Sequence, residues 1–327
     1  MKRRVCLLLA VLLLAGVCTA FAGCGEAGEK KPGEISIVTT VFPVYDWVKN
    51  VVGETEKVDV TMLLDSGVDL HSFQPSADDV VKIASCDLFV YVGGESDAWV
   101  ADTLAEGKNE KRKVLNLLEI LGDAVKEEET VEGMEQEDEH GEDGDGEEPE
   151  YDEHIWLSLK NAAKVTEAIR DALAVLDAQN AAYYAANADA YLQKLNDLDA
   201  RYRSAVEQGN RKTFLFADRF PFRYLADDYG LTYYAAFSGC SAESEASFET
   251  VLFLAKKVDE EQLPVVLKLE SSDGRIAETV VAATERKNAV ILAMDSLQST
   301  TEKDVKNGKT YLSAMEENLL VLKKALA

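Results

Sequence analysis

The chain has 327 residues, a formal charge of −26, 47% hydrophobic and 8% aromatic residues, and 29% charged ones. That length carries about two domains at roughly 150 residues each, and that apolar fraction builds cores, which excludes a wholly disordered chain. The acid excess argues against binding nucleic acid or another polyanion, which needs a basic stripe; it suits a cationic ligand or serves solubility.

Lys2, Arg3 and Arg4 precede an apolar run, Val5 to Val17, that is too short to span a bilayer. Phe21-Ala22-Gly23-Cys24 then reads as a lipobox, so residues 1–24 form a lipoprotein signal and Cys24 becomes the acylated N-terminus. This places the chain outside the cytoplasm, held to the bacterial cell membrane by its lipid. Loss of the three bases takes the charge from −26 to −29. Residues 25–34 are a tether. Cys86 and Cys240 remain after the signal, and either one disulfide or two buried thiols fits an exported protein.

Strand-like runs at Ile35–Val41, Val58–Leu64, Leu88–Val92 and Val114–Leu118 alternate with helical stretches, one at Val44–Val52 and one opened by Ser76 as N-cap with Asp78 and Asp79 in its first turn. That alternation predicts a parallel sheet covered on both faces. Residues 127–153 hold 16 acids and no Lys or Arg, which predicts a self-repelling, disordered loop. From Asn161 to about Gln208 the composition is helical, with a break near Asp177-Ala178-Gln179-Asn180. About 30 residues after the break would span roughly 45 Å, long enough for a rigid spine. A second α/β pattern follows, with strands at Thr213–Phe216, Leu231–Tyr234, Val265–Leu269 and Ala289–Leu292 and a closing helix at Tyr311–Leu326. The expected fold is α/β: two lobes, each a mostly parallel four-stranded sheet flanked by helices. The first lobe covers 35–176, the linking helix 177–208 and the second lobe 209–327.

Enzyme motifs are absent: there is no nucleophile elbow, no His-Glu-x-x-His, and no EF-hand register in the acid run. Gly308-Lys309-Thr310 reads as the turn before the last helix. Of three histidines, His71 lies in a loop after a strand and His154 lies where the acid run ends. Loops at the carboxyl ends of strands form the ligand crevice of open α/β sheets. Each histidine is therefore a metal-ligand candidate, with a solvated or capping role as the alternative.

Taken together, Phe42-Pro43, Gly67-Val68-Asp69-Leu70-His71, Gln74-Pro75, Asp152-Glu153-His154-Ile155-Trp156 and the long helix resemble the metal-binding lipoproteins of zinc and manganese ABC importers. The likeness continues through Tyr229-Gly230-Leu231, Glu245-Ala246-Ser247 and Asp295-Ser296-Leu297, and so covers the mature chain. It implies a divalent transition metal, zinc first and manganese second, held in an interlobe cleft as cargo for an ABC permease. It also implies a monomer with no organic cofactor, no nucleic acid and no catalysis. The ligands implied are His71, His154 and Asp295, with a fourth from the first loop of the second lobe. Arg219 stands at that fourth position and cannot bind a cation. Asp218 either supplies an oxygen after a one-residue shift or pairs with Arg219 or Arg223. Glu243 and Glu270 are reserve ligands. The acid loop keeps only His140 of the histidines such loops carry, and reads as a solvated spacer rather than a cation trap. The rival function is a surface adhesin or interaction protein with a structural metal.

Overall fold

Buried apolar runs alternating with amphipathic helices form two parallel sheets in the computed structural model, which describes residues 34–105, 109–135, 150–241 and 245–327. The first sheet contains β1 (Ile35–Thr39), β2 (Val58–Met62), β3 (Leu88–Tyr91) and β4 (Lys113–Asn116), ordered β2-β1-β3-β4. The second contains β5 (Thr213–Arg219), β6 (Thr232–Phe237), β7 (Val265–Leu269) and β8 (Val290–Met294), ordered β6-β5-β7-β8. The two sheets repeat one topology. All strand pairs within them are parallel, so each sheet brings its strand C-termini to one edge. That edge is where loops build a ligand crevice.

Helices α1 (Phe42–Val52), α2 (Ala77–Ser85), α3 (Val100–Ala105) and α4 (Leu117–Leu121) accompany the first sheet. Ser76 caps α2 as expected, in a reciprocal capping box with Asp79. The fourth strand stops at Asn116 instead of running to Leu118, because the Asn116 side chain accepts the Glu119 N–H and starts α4. Helices α5 (Leu159–Leu176) and α6 (Ala181–Gln208) follow, separated where predicted. The Asp177 carboxylate closes that break by accepting from Asn180 at 2.6 Å and from the Tyr184 hydroxyl at 3.0 Å.

The 28 residues of α6 span roughly 42 Å at 1.5 Å per residue. Its buried stripe, Tyr184, Ala188, Tyr191, Leu195, Leu198 and Tyr202, advances by alternate steps of four and three, which keeps one face inward. Tyr191 donates to Asp46 of α1 at 3.1 Å, and Tyr202 donates to the Met315 carbonyl at 2.6 Å. α6 thereby fastens the first helix of the chain to its last.

Helices α7 (Arg223–Tyr229), α8 (Phe248–Glu260), α9 (Arg275–Ala283), α10 (Glu302–Lys306) and α11 (Tyr311–Ala325) belong to the second half of the chain. Thr310 caps α11, so the Gly308-Lys309-Thr310 turn is a helix start. One apolar core runs from Ile37 to Leu326, and a smaller cluster around Leu215, Leu254, Val266 and Val280 serves the second sheet. The closing helix crosses the expected lobe boundary: Tyr311 meets the fully buried Trp47 of α1 edge-on, with ring centroids 5.3 Å apart.

The acid run departs from the expectation of disorder over 127–153. Its two described arms form a short antiparallel ladder, with Glu127 opposite Tyr151, Glu128 N–H donating to the Glu150 carbonyl and Asp152 N–H to the Lys126 carbonyl. Met134 is buried, and Glu135 N–H donates to the Ala236 carbonyl at 2.9 Å. Net charge is a property of the whole segment, whereas backbone pairing and a single apolar side chain act locally. Residues 136–149, with His140, lie outside the described residues, as do Cys24 and Glu243.

Candidate metal centre

The loop after β2 carries His71 in a single helical turn, Leu70–Ser72, started by the Asp69 carboxylate, which accepts the His71 N–H at 3.1 Å. His154 precedes another short turn, Ile155–Leu157, and is wholly buried. The rings meet with centroids 5.2 Å apart, and their Nε2 atoms are 3.3 Å from one another. Each ring is held from behind by its other nitrogen. His154 Nδ1 lies 2.9 Å from Asp152 Oδ1, which also accepts the His154 backbone N–H at 2.8 Å. An ionised carboxylate only accepts, so it keeps the ring proton on Nδ1 and leaves the Nε2 lone pair toward His71. His71 Nδ1 lies 2.8 Å from Ser96 Oγ and 3.6 Å from Glu153 Oε2.

Cys240, in the loop after β6, brings the third group. Among the described residues, His71, His154 and Cys240 form the set of three or more ligating side chains whose atoms all lie within 4.8 Å of one another. Cys86 and Cys240 are not bridged; the Cys86 thiol lies in the core and donates to the Ile83 carbonyl. A cavity of about 350 Å³ touches His71, Ser96, Glu128, Tyr151, Glu153 and Cys240. A second, of about 780 Å³, touches His71, Asp69, Asp218 and Arg219.

Burial dominates the electrostatics. It pushes His71 down to about 4, with the facing His154 adding to the shift. It raises Glu153, and it raises Asp97 to about 7. It also pushes the Cys240 thiol up, with Glu128 and Asp152 contributing. Burial raises Asp69 too, but the Arg219 guanidinium and His71 outweigh it and hold that carboxyl below its ordinary value.

The acids expected from the second lobe are engaged elsewhere. Asp218 sits at an irregularity in β5, where pairing with β7 lapses beyond Phe216. Its carboxylate accepts the Leu269 N–H of β7 at 3.2 Å and the Arg219 N–H at 2.9 Å, which mends the interrupted ladder. Asp295 pairs with Lys309 at 2.6 Å and accepts the Leu297 N–H. Glu270 accepts from the Ser296 N–H, the Ser296 hydroxyl and the Ser299 hydroxyl; burial, then the charge of Asp295, raises its carboxyl. Ser296 in turn accepts from Trp156 Nε1 at 2.8 Å, so Glu270 and Asp295 shape the loop that supports the His154 turn. None of the three belongs to the histidine and cysteine group. Arg219 turns to Asp69 at 2.9 Å and to the Ser241 carbonyl at 3.4 Å.

Cys240 was visible in the sequence only as a thiol to be buried or bridged. Its signal was position: it follows a strand of the second sheet at the crevice edge, as His71 does in the first. Asp152 could have been singled out by its place two residues before a candidate ligand.

Residues 37–325 match the family model described as zinc-uptake complex component A, periplasmic (ZnuA). The zinc-binding lipoprotein AdcA of Streptococcus pneumoniae strain R6 is 34% identical over 316 residues, covering 96% of this chain and 60% of that protein. The chain thus spans about three fifths of that relative's length. The high-affinity zinc uptake system protein ZnuA of Bacillus subtilis is 28% identical, covering 97% of each chain. The Zn(II)-bound ZnuA-like domain of the pneumococcal AdcA superposes with a TM-score of 0.70 at 31% identity, covering 90% of this chain and 99% of that one.

Proposed function

This chain belongs to the ZnuA family of zinc-uptake components, and we propose that it captures a zinc ion outside the cytoplasm and delivers it to the permease of an ABC importer. The observation that carries the reading is the 3.3 Å separation of the two Nε2 atoms. Two zinc–nitrogen bonds of about 2.0–2.1 Å at a tetrahedral angle place their nitrogens about 3.3 Å apart. His71 and His154 are therefore set for one ion, and their Nδ1 atoms are already committed to Ser96 and Asp152. On this reading the lobes, 35–176 and 209–327, close on the ion about α6 (Ala181–Gln208), and Cys24 carries the lipid. The protein acts as a monomer. Binding and release of the ion suffice, and no substrate is chemically transformed.

Zinc titration of the purified chain against a competing chelator tests this. One ion per chain is expected, with His71→Ala and His154→Ala each weakening binding more than about tenfold, as loss of a ligand must exceed the loss of an outer partner. A chain that binds no zinc, or two variants with unchanged isotherms, would end the proposal.

A further inference from the structure

We infer that Cys240 is the third ligand: its thiolate completes a zinc-selective centre with His71 and His154, in place of the second-lobe ligand displaced by Arg219. The inference rests on the metal-capture reading above and specifies its chemistry. Its sulfur is within 4.8 Å of both imidazoles. A zinc–sulfur bond of about 2.3 Å beside a zinc–nitrogen bond of about 2.05 Å sets sulfur and nitrogen about 3.6 Å apart at a tetrahedral angle. Each sulfur–nitrogen separation therefore needs to close by no more than about 1.2 Å, within reach of rotation about the cysteine's own side-chain bond.

The loop is built for that approach. Gly239 lies so close to His154 that a Cβ there would sit 3.2 Å from its Cε1 and Nδ1 and 3.0 Å from the Phe220 carbonyl. A side chain at 239 would lift the loop off the imidazole. Cys240 N–H donates to Glu128 Oε1 at 2.8 Å, so the ordered arm of the acid run pins the residue. The Glu153 backbone N–H bears on the sulfur itself. Arg219 pairs with Asp69 at 2.9 Å, which offsets its charge.

An independent observation points to a cation here. Glu153 Oε2 is buried, at 3% residue exposure, has no hydrogen-bond partner, and lies 3.6 Å from His71 Nδ1. A carboxylate in that position is costly without positive charge close by. When His71 ligates through Nε2, its proton sits on Nδ1, facing Glu153. The ion brings two positive charges; the thiolate supplies one negative charge, and Glu153 and Asp152 stand behind the two rings. Cys240 releases its S–H proton to solvent as the bond forms. A thiolate also decides the cargo. Soft sulfur favours zinc, whereas manganese prefers oxygen donors, and the oxygen donors Asp218 and Asp295 are occupied elsewhere.

The test is X-ray absorption of the zinc-loaded full chain, with cobalt(II) substitution read by its near-ultraviolet sulfur-to-metal absorption. We expect one sulfur at about 2.3 Å among nitrogen and oxygen neighbours, and a cobalt–thiolate band, both lost in Cys240→Ser. Zinc affinity should fall at least about a hundredfold in that variant, the upper end of what outer partners cost. Manganese should not displace zinc from the wild type. Stoichiometric zinc in a shell of only nitrogen and oxygen would overturn this inference and leave metal capture standing. A sulfur signal that survives Cys240→Ser would also overturn it. A chain that binds no zinc would overturn both.

Discussion

Asp152 offers a perturbation of the centre that leaves both imidazoles and the thiol in place. Its Oδ1 accepts from two donors of His154 at 2.8 and 2.9 Å, and the two residues are 2% and 0% exposed. Asp152→Asn keeps an acceptor but removes the charge. A hydrogen bond to a charged group contributes about 1.5–3 kcal/mol, against about 0.5–1.5 for a neutral one. The loss of ring basicity and orientation is then about 1–1.5 kcal/mol, or roughly tenfold in affinity at 1.4 kcal/mol per decade. Asp152→Ala leaves two buried donors without an acceptor, at about 1–3 kcal/mol each. That variant should lose stability even after chelator treatment, and its zinc affinity should fall nearer a hundredfold. Chelator competition gives the affinities, and thermal unfolding of the chelated proteins gives the stability. An Asn variant within twofold of wild type would refute the reasoning. So would Asn and Ala variants with equal losses, because the acceptor that Asn retains would then have no role.

Two further outcomes test the fold. Met134→Ala should cost about 2 kcal/mol, the low end for a buried methionine, because Met134 packs into the main core from the acid run; an unchanged melting temperature would return that arm to the solvated spacer predicted from charge. Burial pushes Asp46 from 3.8 up to about 6, against the hydrogen bonds of Tyr191 and Asn50. The folded protein then holds this proton more tightly than the unfolded chain, so the group adds stability as pH falls through about 6 toward 4 and loses it as pH rises. The change is about 3 kcal/mol at 1.36 kcal/mol per pK unit. Asp46→Asn should flatten stability against pH across that window, and parallel curves for variant and wild type would show that the shift is absent.

Much of the architecture is legible in the chain itself. Strands such as Val265–Leu269 are runs of neighbouring apolar residues, and caps such as Ser76 and Thr310 act through residues three positions away. These are local patterns, and a parallel sheet follows from their alternation. The approximate places of His71 and His154 are legible for the same reason, since each stands in a loop between recognisable elements. What the tertiary structure decided is which side chains meet. Asp218 and Asp295 sit at strand ends as the sequence suggests, yet a lapse in the β5–β7 ladder takes the first and Lys309 takes the second. Cys240 stands 169 residues after His71 in the chain, and its approach depends on Gly239 against His154, Glu128 from the acid run, and the packing of two sheets. No local pattern encodes a contact of that range, because it exists only once the loops of both sheets converge on one edge.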